Sequence, residues 1–223
     1  MINTLKYIMY GTILIAVYFT GLYTTQLLQV PTQATNFADT TSAIAALVGV
    51  LVATMTITNW KKSKIQEDSY QIIKSYVAEQ VLIETTATEI LIEIGSICPL
   101  PGNTIPSQTF VTETFQNIDI LRKNLSKQYR KIHQIKSELA FWGGKLKPVH
   151  EECHETLIKE LYNFQVVTDC LRNNLENYFT NGLSTAQQVF QEHEKLADYH
   201  NKIYITLAVR KNNKMSEMFT IES

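Results

Sequence analysis

The sequence predicts an all-α membrane protein: an N-terminal transmembrane helical hairpin followed by a cytoplasmic bundle of long antiparallel helices. Three observations predict it. Of 20 Lys and Arg and 21 Asp and Glu, residues 1–60 hold only Lys6 and Asp39. A stretch that avoids charge this strictly avoids the cost of burying it in hydrocarbon. Helix breakers are scarce, with 8 Gly and 5 Pro in 223 residues. Apolar residues beyond residue 60 recur every three or four positions, the period of one helix face.

The first element is a span over about residues 7–30. Tyr7 to Val30 is 24 residues without Asp, Glu, Lys, Arg or His. At about 1.5 Å per residue it reaches about 36 Å, enough to cross a hydrocarbon core of about 30 Å. A signal peptide is the rival reading, but the run is long for one, its flank has a single Lys, and no good small-x-small cleavage site follows. Pro31 ends the run. The polar stretch Pro31–Thr41 is expected to be a short loop, with Asp39 or Thr41 capping the next helix. Ser42 to Asn59, 18 uncharged residues, is the second span.

Orientation follows from the basic residues. Trp60 suits a membrane interface, and Lys61, Lys62 and Lys64 follow the second span directly, while the connecting loop has no Lys or Arg. Both termini are therefore expected in the cytoplasm of a multi-pass inner-membrane protein. Tyr7 and Tyr10 mark the same interface. Small residues fall at helical spacing on both spans: Thr12, Ala16, Thr20 and Thr24, then Ser42, Ala46, Gly49 and Ala53. They permit close helix packing, within the chain or between copies in a homo-oligomer. No ionisable group lies inside either span, which argues against a proton relay or ion carrier.

Four helices are expected in the domain of residues 61–223, at about 61–95, 107–142, 148–181 and 184–214. The first carries Ile65, Ile72, Ile73, Tyr76, Val77, Ile83, Ile90, Leu91 and Ile94, and stops at Gly95 and the CPLPGNTIP run. The second has a coiled-coil-like seam of Ile118, Leu121, Leu125, Gln128, Ile132, Ile135, Leu139 and Trp142, and stops at Gly143-Gly144. The third follows Pro148 with Cys153, Leu157, Leu161, Phe164, Leu171, Leu175 and Tyr178. The fourth opens with a capping box at Ser184 and Gln187, and lines up Val189, His193, Leu196, His200, Ile203 and Leu207. Residues 215–223 are expected to fray. Long helices on short loops pack antiparallel.

The chemistry-bearing candidates are few. HEECH at His150–His154 satisfies the HExxH spacing, which puts His150 and His154 on one helix face as weak metal candidates, with Glu151 as a base. Acidic residues in a first helical turn are also expected from the helix dipole alone. His193 and His200 read as same-face boundary histidines, with a pH-sensing role as the sharper alternative. Cys98, Cys153 and Cys170 form no CxxC pair and read as reduced thiols. The basic run Lys123, Lys127, Arg130, Lys131 and Lys136 reads as a solvated face, with docking on phosphates of anionic lipid or a nucleic-acid-containing partner as the alternative. No phosphate loop, nucleophile elbow or dinucleotide fingerprint occurs, so no cofactor and no direct nucleic-acid binding are expected.

The layout as a whole, hairpin Tyr7–Asn59, then Trp60-Lys-Lys62, then an all-helical part to the C-terminus, resembles the small two-span membrane effectors of bacterial phage-defence systems, such as those that accompany retron reverse transcriptases. The resemblance covers the whole chain. It implies a dormant antiviral effector, held by a cytosolic protein or ribonucleoprotein partner, that damages the inner membrane on infection. Two other classes stand beside it: a non-enzymatic membrane anchor or scaffold for a cytosolic partner, and a metalloprotease using His150, Glu151 and His154. The effector reading expects no enzyme activity.

Overall fold

The computed structural model describes residue 19 and residues 34–99, 106–180, 182–211 and 213–221. Apart from Phe19, the first expected span falls outside the described residues. The chain is all-α and mostly helical, and it divides into two compact units, Met1–Lys64 and Ile65–Ser223.

Helix α1, Ala34–Ile97, begins in the first unit and runs on into the second as one 64-residue element. It contains a stretch long and apolar enough to cross a membrane. The expected cap at Asp39 or Thr41 is not there: the helix starts at Ala34, so both residues lie inside it. Residues 34–41 contain neither Gly nor Pro, so nothing in that polar stretch breaks the helix.

In the second unit the remaining elements are α2 (Gln108–Phe141), β1 (Gly144–Leu146), α3 (Pro148–Thr180), α4 (Ala186–Lys211), α5 (Met215–Met218) and β2 (Phe219–Ile221). One core gathers buried side chains from α1, α2, α3 and α4. The buried positions repeat every seven residues. Tyr76, Ile83, Ile90 and Ile97 make one row on α1; Val111, Ile118, Leu125, Ile132 and Leu139 make one on α2; Leu157, Phe164 and Leu171 make one on α3; Val189, Leu196 and Ile203 make one on α4. A seven-residue apolar repeat keeps a seam facing its neighbours over many turns. Polar contacts join the helices at fixed heights. Lys131 pairs with Glu79 at 2.7 Å, and the Gln128 amide donates to Thr86 Oγ1 at 2.9 Å. Ser126 donates to Gln165 at 3.1 Å, and Lys136 to Glu155 at 2.6 Å. Thr88 Oγ1 lies 2.9 Å from His200 Nε2.

Several local expectations are corrected. The capping box of α4 sits one residue later than Ser184 and Gln187: Gln188 N donates to Thr185 Oγ1 at 3.2 Å, and Thr185 N donates to Gln188 Oε1 at 2.9 Å. The helix starts at Ala186, so Thr185 is the residue with free N–H groups to cap. Helix α4 stops at Lys211, where the Asn213 amide takes up the Val209 carbonyl at 2.7 Å. Cys153 is only half-buried, because His150 and His154 hold the core side of that turn. Residues 215–221 do not fray. They form α5 and then β2, which pairs antiparallel with β1, Leu146 opposite Phe219. Met218 and Phe219 are buried, and covering those two apolar side chains holds the tail in place. Gly143 makes the turn into β1 at φ 76°, where a side chain would be strained. A Cβ on Gly144 would collide with the Leu139 side chain.

Candidate functional site

Most of the uncharged part of α1 is exposed, with Ile44 and Val48 half-buried. Leu47, Val50, Leu51, Val52, Met55 and Ile57 all face outward, and Trp60 is 66% exposed. Outward apolar side chains all round a helix are costly in water and favourable in lipid. The threonine hydroxyls in the same stretch are satisfied internally. Thr54 donates to the Val50 carbonyl at 2.8 Å, Thr56 to Val52 at 2.7 Å and Thr58 to Thr54 at 3.0 Å. In hydrocarbon each would otherwise be a stranded polar group. Lys61, Lys62 and Lys64 follow, all exposed. Of the expected packing residues, Ser42, Ala46, Gly49 and Ala53 are exposed on α1, and a Cβ on Gly49 would meet nothing within 4 Å. Thr12, Ala16, Thr20 and Thr24, with Tyr7 and Tyr10, lie outside the described residues.

A buried polar cluster of the second unit centres on His154, which is 1% exposed. Its Nδ1 lies 2.7 Å from the Tyr76 hydroxyl. The Gln80 side chain lies beside the Tyr76 hydroxyl and works against the rise in its pKa. The His154 Nε2, on the other side of the ring, has no hydrogen-bond partner. The His133 ring stands edge-on at 5.9 Å from His154, and Phe219 of β2 stands edge-on to Tyr76 at 5.8 Å. Burial, followed by the nearby Lys136 charge, holds the His154 pKa down to about 4. Burial likewise pushes the Tyr76 phenol well above its ordinary range.

Lys136 sits between Glu151 and Glu155, at 2.5 and 2.6 Å. Burial works against its charge, but the two carboxylates hold its pKa above the ordinary value. The Glu151 of the HEECH motif is thus engaged by a lysine, and His154 by a tyrosine. His150 is buried on the same face. Among the described residues no group of three or more His, Cys, Asp or Glu is placed to hold a metal ion. What the arrangement does is keep an uncharged imidazole in the core.

His193 and His200 are half-buried on α4, both with pKa values lowered by burial. The cysteines are free. Cys98 is buried, which raises its pKa to about 11, and burial with the Glu152 charge raises that of Cys153. High thiol pKa values make poor nucleophiles. Several buried polar groups escaped the sequence reading, Glu79 and Gln80 among them. Glu79 is 2% exposed and pairs with Lys131, and Gln80 is buried beside Tyr76. The signal for Gln80 was present: it lies seven residues from both Ile73 and Ala87, on their row.

The basic run of α2 divides by partner. Lys131 and Lys136 are spent on Glu79, Glu151 and Glu155. Lys123 and Lys127 are exposed. Comparison of the chain with protein-family models, curated proteins and solved structures gives no match.

Proposed function

We propose that the chain is a two-span inner-membrane protein, with both termini in the cytoplasm, that acts as a membrane-disrupting effector of an antiviral defence system. The one observation that carries the membrane part is the uncharged helix segment 42–59, with apolar side chains outward and threonine hydroxyls satisfied within the helix. A second span at about 7–30 completes the hairpin by its length and lack of charge.

In this reading the second unit is an up-down-up-down bundle. Support comes from the heights of its contacts. Glu79 meets Lys131 and Thr86 meets Gln128, so numbers rise on α1 as they fall on α2. Ser126 meets Gln165 and Lys136 meets Glu155, which gives the same sense for α2 and α3. The bundle is held by a cytosolic protein or ribonucleoprotein until infection. Release lets the hairpins associate through Ser42, Ala46, Gly49, Ala53 and the matching row of the first span, and the bilayer then leaks. No catalytic group takes part.

The defence part rests on the resemblance in layout. Its test is phage plating on bacteria carrying the chain with its neighbouring genes. Plaque numbers should fall by orders of magnitude, and Leu51→Arg, which puts a charge in mid-span, should restore them. Full protection by the Leu51→Arg protein would count against a membrane-acting effector.

A second reading, a passive anchor that recruits a cytosolic partner, is favoured by apolar side chains left exposed on the second unit, Phe141 and Leu183 foremost. Under that reading plating is unaffected by the chain.

A further inference from the structure

A cleft of about 520 Å³ opens between α2 and α3. Its floor includes Ile90 and Leu125, both buried. One wall carries Lys123, Lys127 and Arg130, and the other carries Gln165. Two carboxylates, Asp119 and Asp169, also line it, but both are neutralised. Arg122 bonds Asp119 at 2.9 Å and donates from Nε to Asp169 at 2.7 Å, and Arg172 adds a contact to Asp119 at 3.3 Å.

The other cations have no such counter-charge. Among the described residues Lys123 and Lys127 make no ion pair, and Arg130 uses only its Nε, on the Ser126 carbonyl at 3.3 Å. Three positive charges therefore stand within two helical turns, and like charges at i, i+3 and i, i+4 repel. A bound anion relieves that repulsion. The Ser126 hydroxyl occupies Gln165 Oε1 at 3.1 Å, which leaves the Gln165 amide nitrogen as a donor toward the cleft. The volume lies within the range of about 300–1,000 Å³ usual for small-molecule sites.

We propose that this cleft binds a small, multiply charged anion of the di- or triphosphate class. Lys123, Lys127 and Arg130 contact the phosphates, and Gln165 donates a further hydrogen bond. The same chemistry comes from two sources, a soluble oligophosphate or a lipid headgroup with two phosphates.

The test uses the full chain in nanodiscs of zwitterionic lipid, titrated calorimetrically with inorganic tripolyphosphate. Saturable one-to-one binding is expected. The doubly substituted Lys127→Gln, Arg130→Gln protein should bind roughly a hundredfold more weakly, about tenfold for each charged hydrogen bond lost. Lys159→Gln, an exposed lysine of α3 outside the cleft, should leave binding unchanged. If the double variant melts early, Lys123→Gln alone, on an exposed side chain, should still weaken binding about tenfold. A repeat in cardiolipin-containing discs separates the sources. Unchanged tripolyphosphate binding there identifies a soluble ligand, and competition by the lipid identifies the headgroup. Absence of saturable binding in zwitterionic discs, or an equal loss in Lys159→Gln, would overturn the proposal.

Discussion

Lowering the pH from 7.5 to 5 should destabilise the second unit through His154. The imidazole is buried against Tyr76, with Lys136 and His133 nearby, and its pKa is held at about 4. In the unfolded chain a histidine titrates near 6.5. Below that value the unfolded state binds a proton that the folded state refuses, so stability is full above about pH 6.5 and falls as the pH drops toward 4. Each unit of difference is worth about 1.4 kcal/mol, so the loss reaches about 2 kcal/mol at pH 5 and about 3 kcal/mol at pH 4. His193 and His200 have lowered values too and add to the same fall. A comparison with His154→Gln isolates the first contribution, because an amide can still accept from the Tyr76 hydroxyl. The assay is urea unfolding of the full chain in detergent at pH 7.5 and 5, followed by helical circular dichroism. The native protein should lose about 2 kcal/mol more than His154→Gln over that interval. Equal losses in the two proteins would refute the reasoning, as would an imidazole NMR titration with a midpoint near 6.5.

Three further outcomes are expected of the second unit. Lys131→Ala leaves the Glu79 carboxylate unpaired in the core; because Lys131 is itself 59% exposed, the cost is about 1–2 kcal/mol rather than that of a fully buried pair, and adding Glu79→Gln should recover most of it in the same unfolding assay. Phe164→Ala empties a fully buried position of α3 and should cost about 3–5 kcal/mol, read as a lower denaturation midpoint without a change in slope. Phe219→Ala should detach β2 from β1, speeding hydrogen exchange at Lys147, whose N–H donates to the Met218 carbonyl at 2.9 Å, while the amides of α2 keep their protection.

Much of the second unit was legible because its helices obey a single period. Ile118, Leu125, Ile132 and Leu139 are seven apart and all buried, and Gly143 and Pro148 mark the turn between α2 and α3. Legibility failed where polar residues occupy seam positions. Glu79 and Gln80 read as surface residues by type, yet a partner 52 residues away in sequence makes burial of Glu79 tolerable, and only the fold brings Lys131 there. The role of His154 was not legible for a related reason. The HExxH spacing drew notice to its metal-binding capacity, while Tyr76, its actual partner, lies on another helix. The tail was misread because three residues of strand carry no periodic signal, and β2 exists only by pairing with β1. The start of α1 was placed too late because polarity was taken for a loop, although no breaker was present.

The most direct test of the membrane-effector account is inner-membrane potential and dye entry in bacteria. Cells expressing the full chain are compared with cells expressing residues 65–223, with the neighbouring genes present and during phage infection. The account predicts collapse of the potential and entry of an impermeant dye with the full chain only. An intact membrane in both throughout infection would contradict it.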